Sequence, residues 1–332
     1  MEFPSIYSGF VDVLSAVSLD FLSLDCIEGT DYFSSVYAWC FVPIALAVLN
    51  FAVFAARVST SSSSTRQGLE SSHTYAFLIL SYMVLPPVSR KLFQSLDCIS
   101  VAGGSYLRID TGIDCEDGAY QRFLVPASFL LVIYLSIPVV WFVLLYRKRD
   151  LLNPGTGDDP EFKRYLRSMS TEMDSFRFLF EVYSMPLWWF ECVELYRRVA
   201  FVGVLPLVST KTSRRSAFGV FVALASIAVY RETEPFEAQH NNILIFVAQY
   251  AILLTYGSAL AISTDLSKGL DDVAFGLILI TVNLVVLGMA LLMLYMRYTA
   301  ERSVQEKARE RRAMQVESAV GFSLEKMETT LR

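Results

Sequence analysis

Along this chain, long apolar runs alternate with short polar breaks, and the lengths of the runs set the fold. The runs 32–56, 123–146, 241–264 and 272–297 carry no charge between their ends. Each exceeds the about 20 residues that a helix rising about 1.5 Å per residue needs to cross about 30 Å of hydrocarbon. Three weaker runs join them. Residues 73–95 contain Pro86-Pro87, a pair expected to kink or end a helix; 188–208 carry charge; and 216–231 make a short or tilted span. Before them, Ile6, Phe10, Val13, Leu14, Val17 and Phe21 fall on one helical face, with Asp12 and Asp20 on a wetter one. Residues 1–31 thus read as an amphipathic or first transmembrane helix and an outer turn, and for residues 5–24 both readings stay open. The start lacks the basic region and small-residue cleavage site of a signal peptide. The pattern predicts an all-α, polytopic helical membrane protein of seven or eight transmembrane helices (32–298) with a cytosolic charged helical tail (299–332).

The breaks between runs have their own patterns. Ser59–Thr65 reads STSSSST, a polar connector without apolar periodicity. The longest loop opens with Arg147-Lys148-Arg149, turns at Asn153-Pro154-Gly155, and offers Asp158-Asp159-Pro160-Glu161 as a helix start. A helix over 162–183 then spaces Tyr165, Met169, Met173, Phe176 and Phe180 for a membrane surface. In the tail, Arg302, Glu306, Arg309 and Glu310 interleave both signs at helical spacing, the pattern of a solvated helix with a weak pull toward anionic lipid.

Composition agrees: 54% of residues are hydrophobic and 18% charged, too apolar for a water-soluble core. Counting Lys and Arg by loop orients the chain. With seven spans, sixteen lie on the side of residues 57–67, 147–177, 231 and 297–312, against eight on the side of 90–122, 211–215 and 268. The richer side is expected to be cytosolic, with the C-terminus, in the plasma membrane or an endomembrane. Cys26, Cys98 and Cys115 then face outward, and Cys40 and Cys192 sit in or near spans. A Cys98–Cys115 disulfide would close the outer loop and contribute about 3 kcal/mol. Cys26 is left to be free, to compete for one of those partners, or to pair beyond this chain.

Candidate chemistry is sparse. His73 and His240 are far apart, and no HExxH, GxSxG, GxxxxGK[ST] or CxxC pattern occurs, so no enzyme, cofactor, metal site or nucleic-acid partner is expected. His240 reads as a loop or interfacial residue rather than a ligand. Arginines do not repeat every third residue as a voltage sensor needs, and no potassium-type filter is present. Thr255-Tyr256-Gly257 comes nearest to one, but small residues inside such a run more often let helices approach closely.

One stretch, PLWWFECVELYRRVAF over 186–201, sets Glu191, Glu194, Arg197 and Arg198 against an apolar run. Were the span to start after Arg198, residues 199–208 would cover only about 15 Å, half the needed thickness. A crossing that ends near Val208 must start near Trp189, which takes both acids inward and sets both arginines near mid-depth. On a helix these charges form a stripe that has to face protein or water. Two readings fit: Trp188 and Trp189 form an aromatic belt while the arginines snorkel and pair with the acids to hold the bundle, or the stripe lines a hydrated path or a partner-switching gate.

Leu24-Asp25-Cys26 followed by Pro43, the SLDC and IDC cysteines, FLFEVYSMPLWWFECVELYRR, STKTSRRSAFG and EPFEAQHNNILIFVAQY occur in order over about residues 6–261. In this ordered set the chain resembles the TRP-like C-terminal transmembrane region of large cell-surface proteins in protists and algae. Arg197-Arg198 stands where that family usually has arginine-lysine, and Pro235-Phe236 where it has Pro-Tyr. The resemblance implies a polytopic protein distantly likened to transient-receptor-potential channels, either a short member or a fragment of one with an upstream ectodomain. No filter motif matches, so no pore residue is carried over. The leading expectation is a cation channel or ion-flux regulator, with Glu191, Glu194, Arg197 and Arg198 as its intramembrane stripe and Asp265 at an outer mouth. Its partners would be the lipid bilayer, cations, and a second copy of itself in a homo-oligomer. The alternatives are a non-conducting anchor and signalling module of a larger cell-surface protein, and a small-molecule transporter, since fungal TRP-like proteins are tied to flavin transport and calcium handling.

Overall fold

A computed structural model describes residues 7, 9–10, 31–60, 63–101, 103–155, 160–169, 171–264, 273–274, 276–293, 295–296 and 298–299. The readings for the helix within 1–31, for Cys26, for Asp265 and for the tail beyond 299 lie outside those residues. Contacts divide the chain into two units, Met1–Leu279 and Ile280–Arg332.

In the first unit, α1 (Tyr32–Thr60) and α2 (Ser63–Gln94) form an antiparallel pair. Asn50 holds the pair across the bilayer-length run, its amide donating to the His73 carbonyl at 3.0 Å and its Oδ1 lying 2.7 Å from His73 Nδ1. The described ends of the serine-rich connector, residues 59–60 and 63–65, are helical, where a polar connector without periodicity was expected. Ser59 and Thr60 bond back to the carbonyls of Ala56 and Arg57, which satisfies their hydroxyls without leaving the helix. Pro86-Pro87 does not end α2 either. Leu85, Val88, Ser89 and Leu92 around it are buried, so packing holds the helix through the two missing donors.

A β-hairpin follows, β1 (Cys98–Val101) against β2 (Gly104–Leu107), with Cys98 opposite Leu107. The all-α reading missed it, because each strand has only four residues and shows no period. Gly103 takes φ 89°, open to glycine at little cost. The Cys98–Cys115 disulfide is formed, with Cα atoms 6.5 Å apart, and Arg108 pairs with Asp97 at 2.6 Å beneath the hairpin. Asp117 then caps α3 (Gly118–Arg147), accepting from the Ala119 amide at 3.1 Å.

The surface helix expected over 162–183 is broken. The helix α4 (Pro160–Met169) is followed by a 3-10 stretch, Thr171–Phe176, and a single turn, Arg177–Phe180. Arg167 draws the segment back on itself, donating to the carbonyls of Phe180 at 2.7 Å and Tyr183 at 3.3 Å and lying over the Phe180 ring. The expected apolar face splits accordingly: Tyr165 and Met169 are exposed, while Met173 and Phe180 are buried.

Helix α5 (Phe190–Val199) runs without interruption through a π-helical segment, Ala200–Val204, into Leu205–Leu207. Two long helices follow, α6 (Thr212–Thr233) and α7 (Gln239–Ser263). The short run 216–231 therefore belongs to a helix of 22 residues, because α6 begins ahead of it and takes in Arg214 and Arg215. The last long helix is α8 (Gly276–Met293), and the boundary between the two units falls within it.

Among the described residues six helices are long and apolar enough to cross a membrane: α1, the Gly68–Gln94 part of α2, α3, α6, α7 and α8. Their outer faces carry exposed Val48, Phe51, Val125, Phe129 and Phe221, a surface suited to lipid and not to water. This is an integral membrane protein. The core lies inside α1, α2, α3 and α5, around Val36, Leu85, Tyr134, Trp141 and Leu195. Within it Tyr134 donates to the Cys40 carbonyl at 2.6 Å, and Cys40 and Cys192 are free and buried.

Two ends of the first unit are identified by their contacts. At one, Ser71 meets Ser175, Ser184 donates to the Pro235 carbonyl at 2.9 Å, Glu237 donates to Val182 at 3.0 Å, and Arg164 pairs with Glu237. At the other, Phe33 packs on Phe123 with the rings tilted, and Arg215 lies within Coulombic reach of Arg108 and Asp97.

Candidate functional site

The charged stretch sits where α5 meets α2, α3, α6 and α7. Its outward side is apolar: Val193 and Val202 are exposed, and Tyr196 donates to the Leu135 carbonyl at 2.7 Å. Glu191, Glu194, Leu195, Val199 and Gly203 lie buried on the opposite side. Gly203 is required there, because a Cβ would overlap the Phe93 ring.

Glu194 is saturated. Arg197 reaches it with Nε at 2.8 Å and Nη2 at 2.6 Å, Arg198 with Nε at 2.8 Å, and the Tyr230 hydroxyl donates to Oε2. Four donors on one carboxylate use its available lone pairs. The bidentate Arg197 contact is the planar fork that makes guanidinium–carboxylate pairs strong.

Both arginines are held on their far sides. Arg198 donates from Nη1 to the Tyr82 hydroxyl at 2.9 Å, and Tyr82 stacks on Trp141. Arg197 lies 5.9 Å from the Tyr230 ring and 5.7 Å from that of Phe201, with Gln249 Oε1 3.5 Å from Nη1. Arg198 stands eight residues into the helix, about 12 Å along it.

Glu191 meets a different environment. The Tyr183 hydroxyl donates to its Oε2 at 2.6 Å, while Oε1 is buried without a partner, and no ion pair engages it among the described residues. Within the expected four-charge stripe Glu194 binds both arginines directly, while Glu191 rests on Tyr183 with Tyr82 and the Arg198 charge nearby. Gln249, fully buried, likewise keeps an unpartnered Nε2.

Trp188 does not face lipid as a belt residue would. It is buried and stacks on Phe142 of α3 at 5.7 Å, so it wedges the start of α5 against the core. Gly257 faces open space, and the close approach between α6 and α7 falls instead at Gly219, whose Cβ would overlap Tyr256. His240 is exposed on the first turn of α7.

Sequence reasoning missed Tyr82, Tyr183, Tyr230 and Gln249. The available signal was polar-tipped residues inside otherwise apolar runs, since a buried tyrosine hydroxyl needs a partner. Among the described residues no three His, Cys, Asp or Glu side chains converge as metal ligands would.

Outside the spans, a cleft is lined by Arg164, Arg167, Arg177, Phe180, Glu181 and Glu237. Burial pulls the Arg167 guanidinium below its ordinary value, opposed by Glu237 and Glu181, and it remains a cation at any physiological pH.

Compared with protein-family models, curated proteins and solved structures, the chain matches none.

Proposed function

We propose that this chain is a TRP-like polytopic membrane protein that conducts cations or regulates their flux, with the α5 cluster as its latch. The observation that carries the reading is the asymmetry of the two carboxylates. Glu194 holds both arginines, while Glu191, one turn away, is buried with an oxygen free. An ionised cluster inside an apolar layer is costly, and such clusters mark ion pathways and switches more often than they add stability. Exchange of Arg198 from Glu194 toward Glu191, past Tyr82, is the motion this arrangement suggests.

In this reading residues 190–207 are a seventh crossing. Support comes from their two flanks: the chain enters beside Pro235 and Glu237 and leaves toward Arg215, which lies within reach of Asp97 and Arg108. The Lys and Arg count then sets the first of these ends, and the C-terminus, in the cytosol. A cysteine introduced at Gly103 should react with a membrane-impermeant maleimide on intact cells, and one at Gly155 only after permeabilisation; the reverse pattern inverts the orientation.

Purified chain in proteoliposomes should pass a cation flux that changes in Glu191→Gln plus Glu194→Gln. An absent flux, or one unchanged in the double variant, overturns the reading. A non-conducting anchor and signalling module is the second reading, favoured by the complete saturation of Glu194, which suits a static clamp. It expects the double variant to lose stability in a protein that never conducts.

A further inference from the structure

Beyond the ion cluster, along the same helix, the π-helical segment and Leu205–Leu207 face α6 and α7 across an open cleft of about 420 Å³. That is within the size range of small-molecule sites, which combine apolar walls with a few polar groups. Here the walls are Phe201, Leu205, Tyr256 and Ala259, with Thr255 beside them, and the one charged group is Arg215 from the first turn of α6.

Among the described residues no carboxylate pairs directly with this cation. Nη2 of Arg215 donates to Thr212 Oγ1 at 3.3 Å, and its buried Nε has no partner. Asp97 lies within reach but is committed to Arg108 at 2.6 Å, and Arg108 itself repels Arg215. A part-exposed guanidinium whose buried Nε finds no acceptor among the described residues, at an apolar cleft, is complementary to one kind of molecule: an anionic head on a hydrocarbon body. π-helical segments also recur at functional sites.

We propose that this cleft binds a fatty acid drawn from the bilayer, its carboxylate on Arg215 and its chain along Phe201, Leu205 and Tyr256. Phe201 links the site to the ion cluster, because its ring stacks on Tyr256 at 5.5 Å and lies under the Arg197 guanidinium. An occupied cleft therefore bears on the residue that grips Glu194. The inference does not depend on conduction, and its test reads binding alone.

The probe is a long-chain fatty acid carrying a diazirine in mid-chain, photo-crosslinked to the purified full chain in nanodiscs. Cross-links should map to residues 201–206 and 255–259, and oleate should compete where methyl oleate and oleylamine do not. Arg215→Gln should weaken oleate competition roughly tenfold or more, the loss expected for a charge-assisted contact. Ala259→Trp should block labelling by filling the cleft. The site is overturned by cross-links confined to bilayer-facing positions such as Phe129 and Phe221, or by methyl oleate competing as well as oleate. The mapping on the unaltered protein decides the matter even where a variant fails to fold.

Discussion

Two carboxylates three residues apart on one helix face opposite circumstances, and their substitution should separate them. Removing the Glu194 charge strands the largely buried Arg197 guanidinium and takes a partner from the part-exposed Arg198, a loss of up to about 3–5 kcal/mol, the upper figure being that for a fully buried pair. Glu191→Gln keeps an oxygen for the Tyr183 hydroxyl and removes a buried charge that has no ion pair, so it should cost less than about 1 kcal/mol. Thermal unfolding of both variants in one detergent checks the order; equal losses would mean that the two acids share the arginines. The part of this cluster that was legible is local. Glu194 with Arg197 and Arg198 follows from helical spacing alone. Tyr230 and Gln249 lie 36 residues beyond Glu194 and 52 beyond Arg197, and helical periodicity does not reach that far.

At the scale of elements, the apolar runs placed the long helices, and their ends were the less readable part. Pro86-Pro87 and serine-rich stretches are breakers in water, yet here α2 runs through the first and α1 extends to Thr60 at the edge of the second. Buried neighbours hold one, and hydroxyls bonded to helix carbonyls hold the other. The 162–183 helix failed for a tertiary reason, since Arg167 finds its acceptors at Phe180 and Tyr183 by folding the segment back. Close approaches were equally hidden, because a glycine in a run does not show which neighbour it meets. Gly219→Leu should destabilise by about 1–3 kcal/mol through overlap with Tyr256, whereas Gly257→Ala should stay within about 0.5 kcal/mol. Unfolding midpoints of the two variants test the pair, and a neutral Gly219→Leu would show that α6 and α7 can move apart freely.

For the whole molecule, six membrane-length helices and the Cys98–Cys115 bridge were legible, because length and hydropathy are one-dimensional properties and the paired cysteines bracket one loop. The hairpin within that loop was not, since its four-residue strands are too short to show a period. Replacing both cysteines by serine should lower stability by about 3 kcal/mol, the loop-closure contribution for about 17 residues. Unfolding with and without reductant reads this directly, and a reductant-insensitive midpoint would show that the hairpin holds itself through Asp97–Arg108 and its strand pairing.

The distance in sequence between the α5 charges and their partners bears on how the chain is made. When residues 190–207 leave the ribosome, Glu194 has its two arginines, but Tyr230 and Gln249 have not yet emerged to meet it. The proposed crossing is then a poor substrate for release into lipid by itself, and should wait at the translocation machinery until α6 and α7 arrive as a hairpin to cover it. A nascent chain truncated at residue 211 should leave this segment extractable by alkaline carbonate, while one truncated at residue 264 should retain it.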